Sequence, residues 1–173
     1  MPAPNIATLY DFESAYEDAL ANYFANVNIG GQVFAQVLTP RTNLTAEATL
    51  ETPRLQVKIA TMGPMSAGGG LQEGTATISN VGYPYYSAYQ LQASIDVVSA
   101  RSNASQLHGL LRGGVRQGML EMTASMNANT VPYYQTAFVT PLGSNQGIDA
   151  ENDEITTNLT FQIDMQIPPS SFP

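Results

Sequence analysis

His108 is the only histidine in a chain of 173 residues, and there is no cysteine. Any imidazole base or ligand must therefore be His108, while thiolate nucleophiles, thiolate metal sites and disulfides have no residue to form them. His108 lies in "SQLHGLLRGG", inside a predicted helix and beside leucines. No G-x-S-x-G elbow and no H-E-x-x-H motif supplies a partner at a catalytic spacing. The expectation is a helix-surface histidine. "GGGLQEG" at 68–74 invites a phosphate-loop reading, yet it lacks the Lys-Ser/Thr that completes such a loop, and the one lysine, Lys58, comes too early. "DAENDE" at 149–154 gathers carboxylates of the kind that Ca²⁺ prefers. It lacks the glycine and spacing of an EF-hand loop, so it is expected to be a solvated charge run. Tyr83, Tyr85 and Tyr86 around Pro84, and Tyr133 with Tyr134 after Pro132, could stack on bases. In an acidic chain they are expected to pack at an interface instead. Catalytic, cofactor-binding and metal-binding residues are all predicted to be absent, which points away from an enzyme.

Charge bounds the partners. Asp and Glu number 14 against 6 Lys and Arg, for a formal net charge of −8. Nucleic-acid binders present a basic face to phosphate, and this composition has none to spare. The hydrophobic fraction of 43% is enough for one packed core at this length. The start, "MPAPNIATLYDF", has neither a basic n-region nor an apolar h-region, and no apolar run reaches bilayer-spanning length. The expectation is a soluble protein, neither exported nor membrane-bound.

The elements that must position these residues follow from periodicity. "DFESAYEDALANYF" places Phe12, Ala15, Tyr16, Ala19, Leu20, Tyr23 and Phe24 on one helical stripe, with Asp11 as the expected cap. "QVFAQVL" and "RLQVKIA" read as strands. From Thr61 to Gly82 the pattern dissolves, giving a flexible loop or arm, or a weak hairpin with "GTATISNV" as its second strand. "YSAYQLQASIDVV" alternates with period two and predicts a long one-sided strand. "RSNASQLHGLLRGGVRQGMLEM" predicts a second helix with Leu107, Leu110, Leu111, Val115, Met119 and Met122 on one stripe. Its glycines 109, 113, 114 and 118 imply either very close packing or a kink at Gly113-Gly114. "YYQTAFVT" reads as a short strand and "PLGSNQGIDAENDE" as an acidic loop. "EITTNLTFQIDMQI" alternates without a break, a strand so long that it needs a broad sheet or a second subunit. Together these predict an α+β domain spanning 1–173, an antiparallel sheet with long strands, two helices on one face and a flexible arm at 61–82.

The stretches "DFESAYEDAL", "TPRLQV", "ASIDVVSARSNASQLHGLLRGGVRQGM", "VPYYQTAFV" and "ENDEITTNLTFQIDMQI" resemble, in their order, neck proteins of tailed bacteriophages of the tail terminator, or tail completion, type. The resemblance implies a ring, usually a hexamer, in the virion neck, assembled in the host cytoplasm. Such a ring caps the tail tube and offers a surface to the head-tail connector. A head completion or stopper protein one layer higher is the alternative within that setting. A virion decoration protein or a small soluble enzyme are alternatives outside it. An acidic lumen would let DNA pass without specific binding. Arg101, Arg112 and Arg116 cluster in one segment and Asp149, Glu151, Asp153 and Glu154 in another, which makes them candidates for opposite sides of a repeated subunit contact. In the arm, Met62, Met65 and Leu71 are the expected apolar anchors and Gly68, Gly69 and Gly70 the hinge.

Overall fold

The structure, a computed structural model, describes residues 6–40, 42, 49–64, 72–78, 81–86, 88–103, 106–128 and 135–166. The chain forms an α+β fold of two helices and a five-stranded mixed sheet, mostly antiparallel, with a separate two-stranded ribbon. In chain order these are α1 (Ile6–Asn26), β1 (Gln36–Leu38), β2 (Arg54–Pro64), β3 (Gln72–Ile78), β4 (Val81–Tyr86), β5 (Ala88–Ala100), a 3₁₀ turn (Arg101–Asn103), α2 (Leu107–Ala128), β6 (Gln135–Asp149) and β7 (Glu154–Gln166). The sheet order is β1-β2-β5-β7-β6.

The unbroken alternation of the last strand finds its broad sheet within the chain. β7 is interior, paired along its whole length with β5 on one side and with β6 on the other. Ile155, Thr157, Leu159, Phe161 and Ile163 are buried on one face. Leu55, Val57 and Ile59 of β2 and Leu91, Ala93, Ile95 and Val97 of β5 join them, because period two puts every second side chain on the same side. Both helices cover this face. α1 contributes Tyr16, Leu20 and Phe24, and α2 contributes Leu111, Val115, Met119 and Met122. The opposite face is polar. There Asn158 donates to Ser94 and Asp96 at 2.7 Å each, Thr160 donates to Asn158 at 3.0 Å, and Gln162 donates to Asp164 at 3.0 Å.

α1 begins at Ile6, so Asp11 stands inside the helix rather than capping it. Two of the α2 glycines are explained by close packing within the subunit. A Cβ on Gly114 would lie 2.3 Å from Ile29 Cγ2, and one on Gly118 would lie 2.7 Å from Phe24 Cε1. Gly109 and Gly113 meet open space, and α2 runs as one helix through all four.

Two expectations need correction. The stretch read as a flexible arm at 61–82 carries strand in its described parts. β2 continues to Pro64 with Met62 at a register shift, and β3 pairs with β4 as an antiparallel ribbon, with "GTATI" in its first strand. The β-branched Thr75, Thr77, Ile78 and Val81 suit a ladder, and the sparse polar pattern around them hid it. Met65, Gly68, Gly69, Gly70 and Leu71 lie outside the described residues. The stretch at 141–154 read as an acidic loop is instead the second half of β6 and a tight turn into β7. Pro141 and Gly143 flank a register shift on an edge strand, a place where proline's missing donor is tolerated.

Candidate functional site: an open sheet edge

The two outer strands of the sheet are finished differently. At the β1/β2 edge, three residues of β1 pair in parallel with Arg54, Leu55 and Gln56. Beyond them the Ile59 N–H donates to Glu17 Oε2 of α1 at 2.9 Å. Glu17 is buried at 3% exposure, so this carboxylate is a cap on the strand edge, not the solvated helix acid its sequence position suggests. The outer side of β1 is fastened by the Gln36 side chain, which donates to Thr49 O at 3.1 Å and accepts from Glu51 N at 3.0 Å.

Among the described residues β6 has no such side-chain cap, and its edge is interrupted only by Pro141 and by register shifts at 136–138 and 141–143. It is the last strand of the sheet, and residues 140–148 are exposed without interruption. Leu142 and Ile148 keep 50% and 62% of their surface. By register, Ser144, Gln146 and Ile148 lie opposite Leu159, Thr157 and Ile155 on the helix-covered side, yet they remain open. Beside α2 a shallow groove is lined by Arg116 of α2, Pro141, Leu142, Gly143 and Ser144 of β6, and Leu159, Thr160 and Phe161 of β7. An edge this long, with no charged residue over 140–148, is the kind of backbone surface that another strand can pair with.

The residues singled out in the sequence are distributed around this edge, and several are engaged within the subunit. Glu154 is paired with Arg54, which the sequence reading did not select. Arg54 Nη1 and Nη2 donate to the two carboxylate oxygens at 2.5 and 2.6 Å, with side-chain exposures of 8% and 12%. The pair reaches across β5 from β2 to β7, and no spacing in the sequence joins positions 100 apart. Arg101 and Asp153 belong to one corner of one subunit. The Arg101 N–H donates to Asp153 O at 2.8 Å, while their exposed side chains approach to 4.0 Å. Within one chain, then, Arg101 of the arginine cluster meets Asp153, while Glu154 is engaged by Arg54, which lies outside that cluster. Asp149 builds the turn into β7. It accepts from the Glu151 and Asn152 N–H groups at 3.0 and 3.2 Å and from the Asn152 side chain at 2.8 Å. The Asn152 side chain foremost holds the Asp149 carboxyl below its ordinary range. The acidic run is thus an ordered Asx turn, with Asp153 at φ 53° completing it. Glu151 and Arg116 are exposed and make no ion pair among the described residues, and Arg112 is half-buried.

His108 is buried at 2% exposure, not on the helix surface. Its Nδ1 lies 2.6 Å from Ser99 Oγ of β5 and its Nε2 lies 2.7 Å from Thr157 Oγ1 of β7. A neutral imidazole has one donor and one acceptor, and each hydroxyl can take either role. Burial foremost, and then the Arg112 charge, lower its pKa from the usual value. The sequence held the signal, since 108, 111, 115, 119 and 122 form one helical stripe. A second bridge joins the helices. The Tyr23 phenol donates to Glu121 Oε2 at 3.1 Å, and burial, followed by this carboxylate, raises its pKa.

Among the described residues, no group of three or more His, Cys, Asp or Glu is placed to hold a metal ion, and no helix is long and apolar enough to cross a membrane. No family model matches the chain, and no curated protein matches it. One solved structure, 14% identical, covers 91% of this chain and 95% of its own with a TM-score of 0.47, a likeness too slight to carry a conclusion.

Proposed function

We propose that this chain is a structural subunit of a tailed-phage neck, a ring protein of the tail terminator type that caps the tail tube and meets the head-tail connector. The observation that carries the reading is the open β6 edge: a run without charge and exposed over 140–148, on a sheet whose other side is covered in part by β1 and by the Glu17 cap at Ile59. Beyond Pro141 and the register shift beside it, nothing among the described residues blunts the run from Gly143 to Ile148, which suits it to a partner. The order of segments that resembles tail terminators supplies the setting. The expected assembly is a homo-hexamer in the virion neck, built in the host cytoplasm. A chain with a net charge of −8 would line a lumen through which DNA slides without adhering. Arg112, Arg116, Asp149 and Glu151 remain as residues of the proposed subunit contact, since none of them is committed to an ion pair among the described residues.

The test is assembly. Purified protein, alone and mixed with tail tube protein, is measured by light scattering, and tube lengths are measured by electron microscopy. A species several times the 18.5 kDa subunit, and shorter tubes in its presence, are expected. A monomer in both samples, with tube length unchanged, sinks the reading.

A further inference from the structure

The β3–β4 ribbon is a two-stranded sheet that, among the described residues, no other element packs against to more than a marginal extent. Two-stranded ribbons are at best marginally stable in water and gain most from a third strand. The ribbon leaves the main sheet where β2 ends and β5 begins, which is the end opposite the β6–β7 turn. One chain therefore carries both a sheet edge open to a further strand and a ribbon without a third strand, at separated places, which is the arrangement of a head-to-tail contact between copies.

We propose that the ribbon of one copy adds to the β6 edge of the next, through β3, with Glu73 set against Arg116. The proposal rests on the ring reading and names its subunit contact. β3 is the strand that joins, because β4 contains Pro84, which has no N–H to give and belongs on an outer edge. The seven residues of β3 equal in number the exposed run from Leu142 to Ile148, which begins beyond Pro141, so the strand can lie along that part of the edge. Charge selects the position. Glu73 is the sole charged residue of the ribbon, and Arg116 flanks the groove at Pro141 to Ser144 with no ion pair among the described residues. Backbone pairing supplies the attraction and the Glu73–Arg116 pair supplies the register.

Two defective chains test this by complementation. One has 72–86 replaced by a short Gly-Ser link and keeps its β6 edge. The other carries Leu142→Lys with Ile148→Lys and keeps its ribbon. Each alone is expected to remain a monomer under conditions where the unmodified chain assembles. Their mixture is expected to stop at about twice the subunit mass, because one contact is intact and the next cannot form. Assembly of the ribbonless chain by itself, or a mixture that stays monomeric while the unmodified chain assembles, overturns the proposal and leaves the ring reading standing. An unmodified chain that is monomeric with and without tube protein overturns both. Should the ribbonless chain fail to fold, charge reversal decides. Glu73→Arg and Arg116→Glu are each expected to raise the concentration needed for half-assembly by up to about fivefold, and the double reversal to restore it. Single reversals without effect, or a double that does not recover, overturn the proposal.

Discussion

The two edges of the sheet differ in who closes them. At β2 the chain does it itself, spending a buried carboxylate on a single backbone N–H and a glutamine side chain on the outside of β1. At β6 no such side-chain cap is present among the described residues, and the buried side chains lie behind the strand, in β7 and α2. Burying a polar group is costly unless it is hydrogen-bonded, and Glu17 meets that condition at the Ile59 N–H. Glu17 removes an unsatisfied N–H and an unwanted edge together. An edge without such an investment is one whose partner arrives from outside.

The largest way to break this comparison is to cut the tie between its two sides. Arg54 on the closed edge and Glu154 at the start of β7 form a nearly buried bidentate pair. Glu154→Ala leaves an unpaired buried guanidinium, and a loss of about 3 to 5 kcal/mol in urea unfolding is expected. A loss below 1 kcal/mol would show that water reaches Arg54 freely. Next comes the cap itself. Glu17→Ala strands the Ile59 N–H and should cost about 2 kcal/mol, with Glu17→Gln costing less because an acceptor remains. The altered chain should also exchange the Ile59 amide hydrogen faster than its neighbours, which a uniform change in exchange would contradict.

The pH dependence sharpens what holds the open side from within. His108 binds α2 to β5 and β7 as a neutral ring, and its pKa in the fold is lowered below the ordinary 6.5. The unfolded chain therefore takes up the proton first. Stability from this group is complete above about pH 6.5 and is lost as pH falls through that value toward the depressed one, with a slope approaching 1.4 kcal/mol per pH unit at about its steepest. His108→Gln should remove that slope, read as the difference between the two stability-pH profiles; parallel profiles would mean that the ring is protonated in place. The smallest effect on stability belongs to the bare edge. Leu142→Lys and Ile148→Lys should each change the melting free energy by no more than about 0.5 kcal/mol, since both side chains are exposed, while reducing assembly. A large loss of stability would place them in the subunit's own packing.

Much of the fold was legible where the pattern is local. The alternation of β5 and β7 and the stripe of α2 follow from one-sided burial, which writes its period into consecutive residues. β6 was cut short in the sequence because Pro141, Gly143, Ser144, Asn145 and Gly147 have the composition of a turn. They are held extended by pairing with β7, a partner of strong β-propensity. The ribbon was obscured for the same reason. The site was less legible than the fold. Glu17 is one of several acids along α1 in the sequence, and its use appears only when β2 passes beneath it. Arg54 and Glu154 meet through strand order alone, and strand order is a property of the whole chain.

The cap at Ile59 has a consequence for the subunit before it finds its neighbours. Fibrils lengthen because each added strand offers a fresh edge for the next, and a sheet with two open sides is a seed for that process. Here a second copy that docked its β6 against the first, edge to edge, would present outward the sides held by β1 and by the Glu17 cap, which hinders lengthening by that route beyond two molecules. A single carboxylate thus limits how far a crowded pool of free subunits can run toward an insoluble thread.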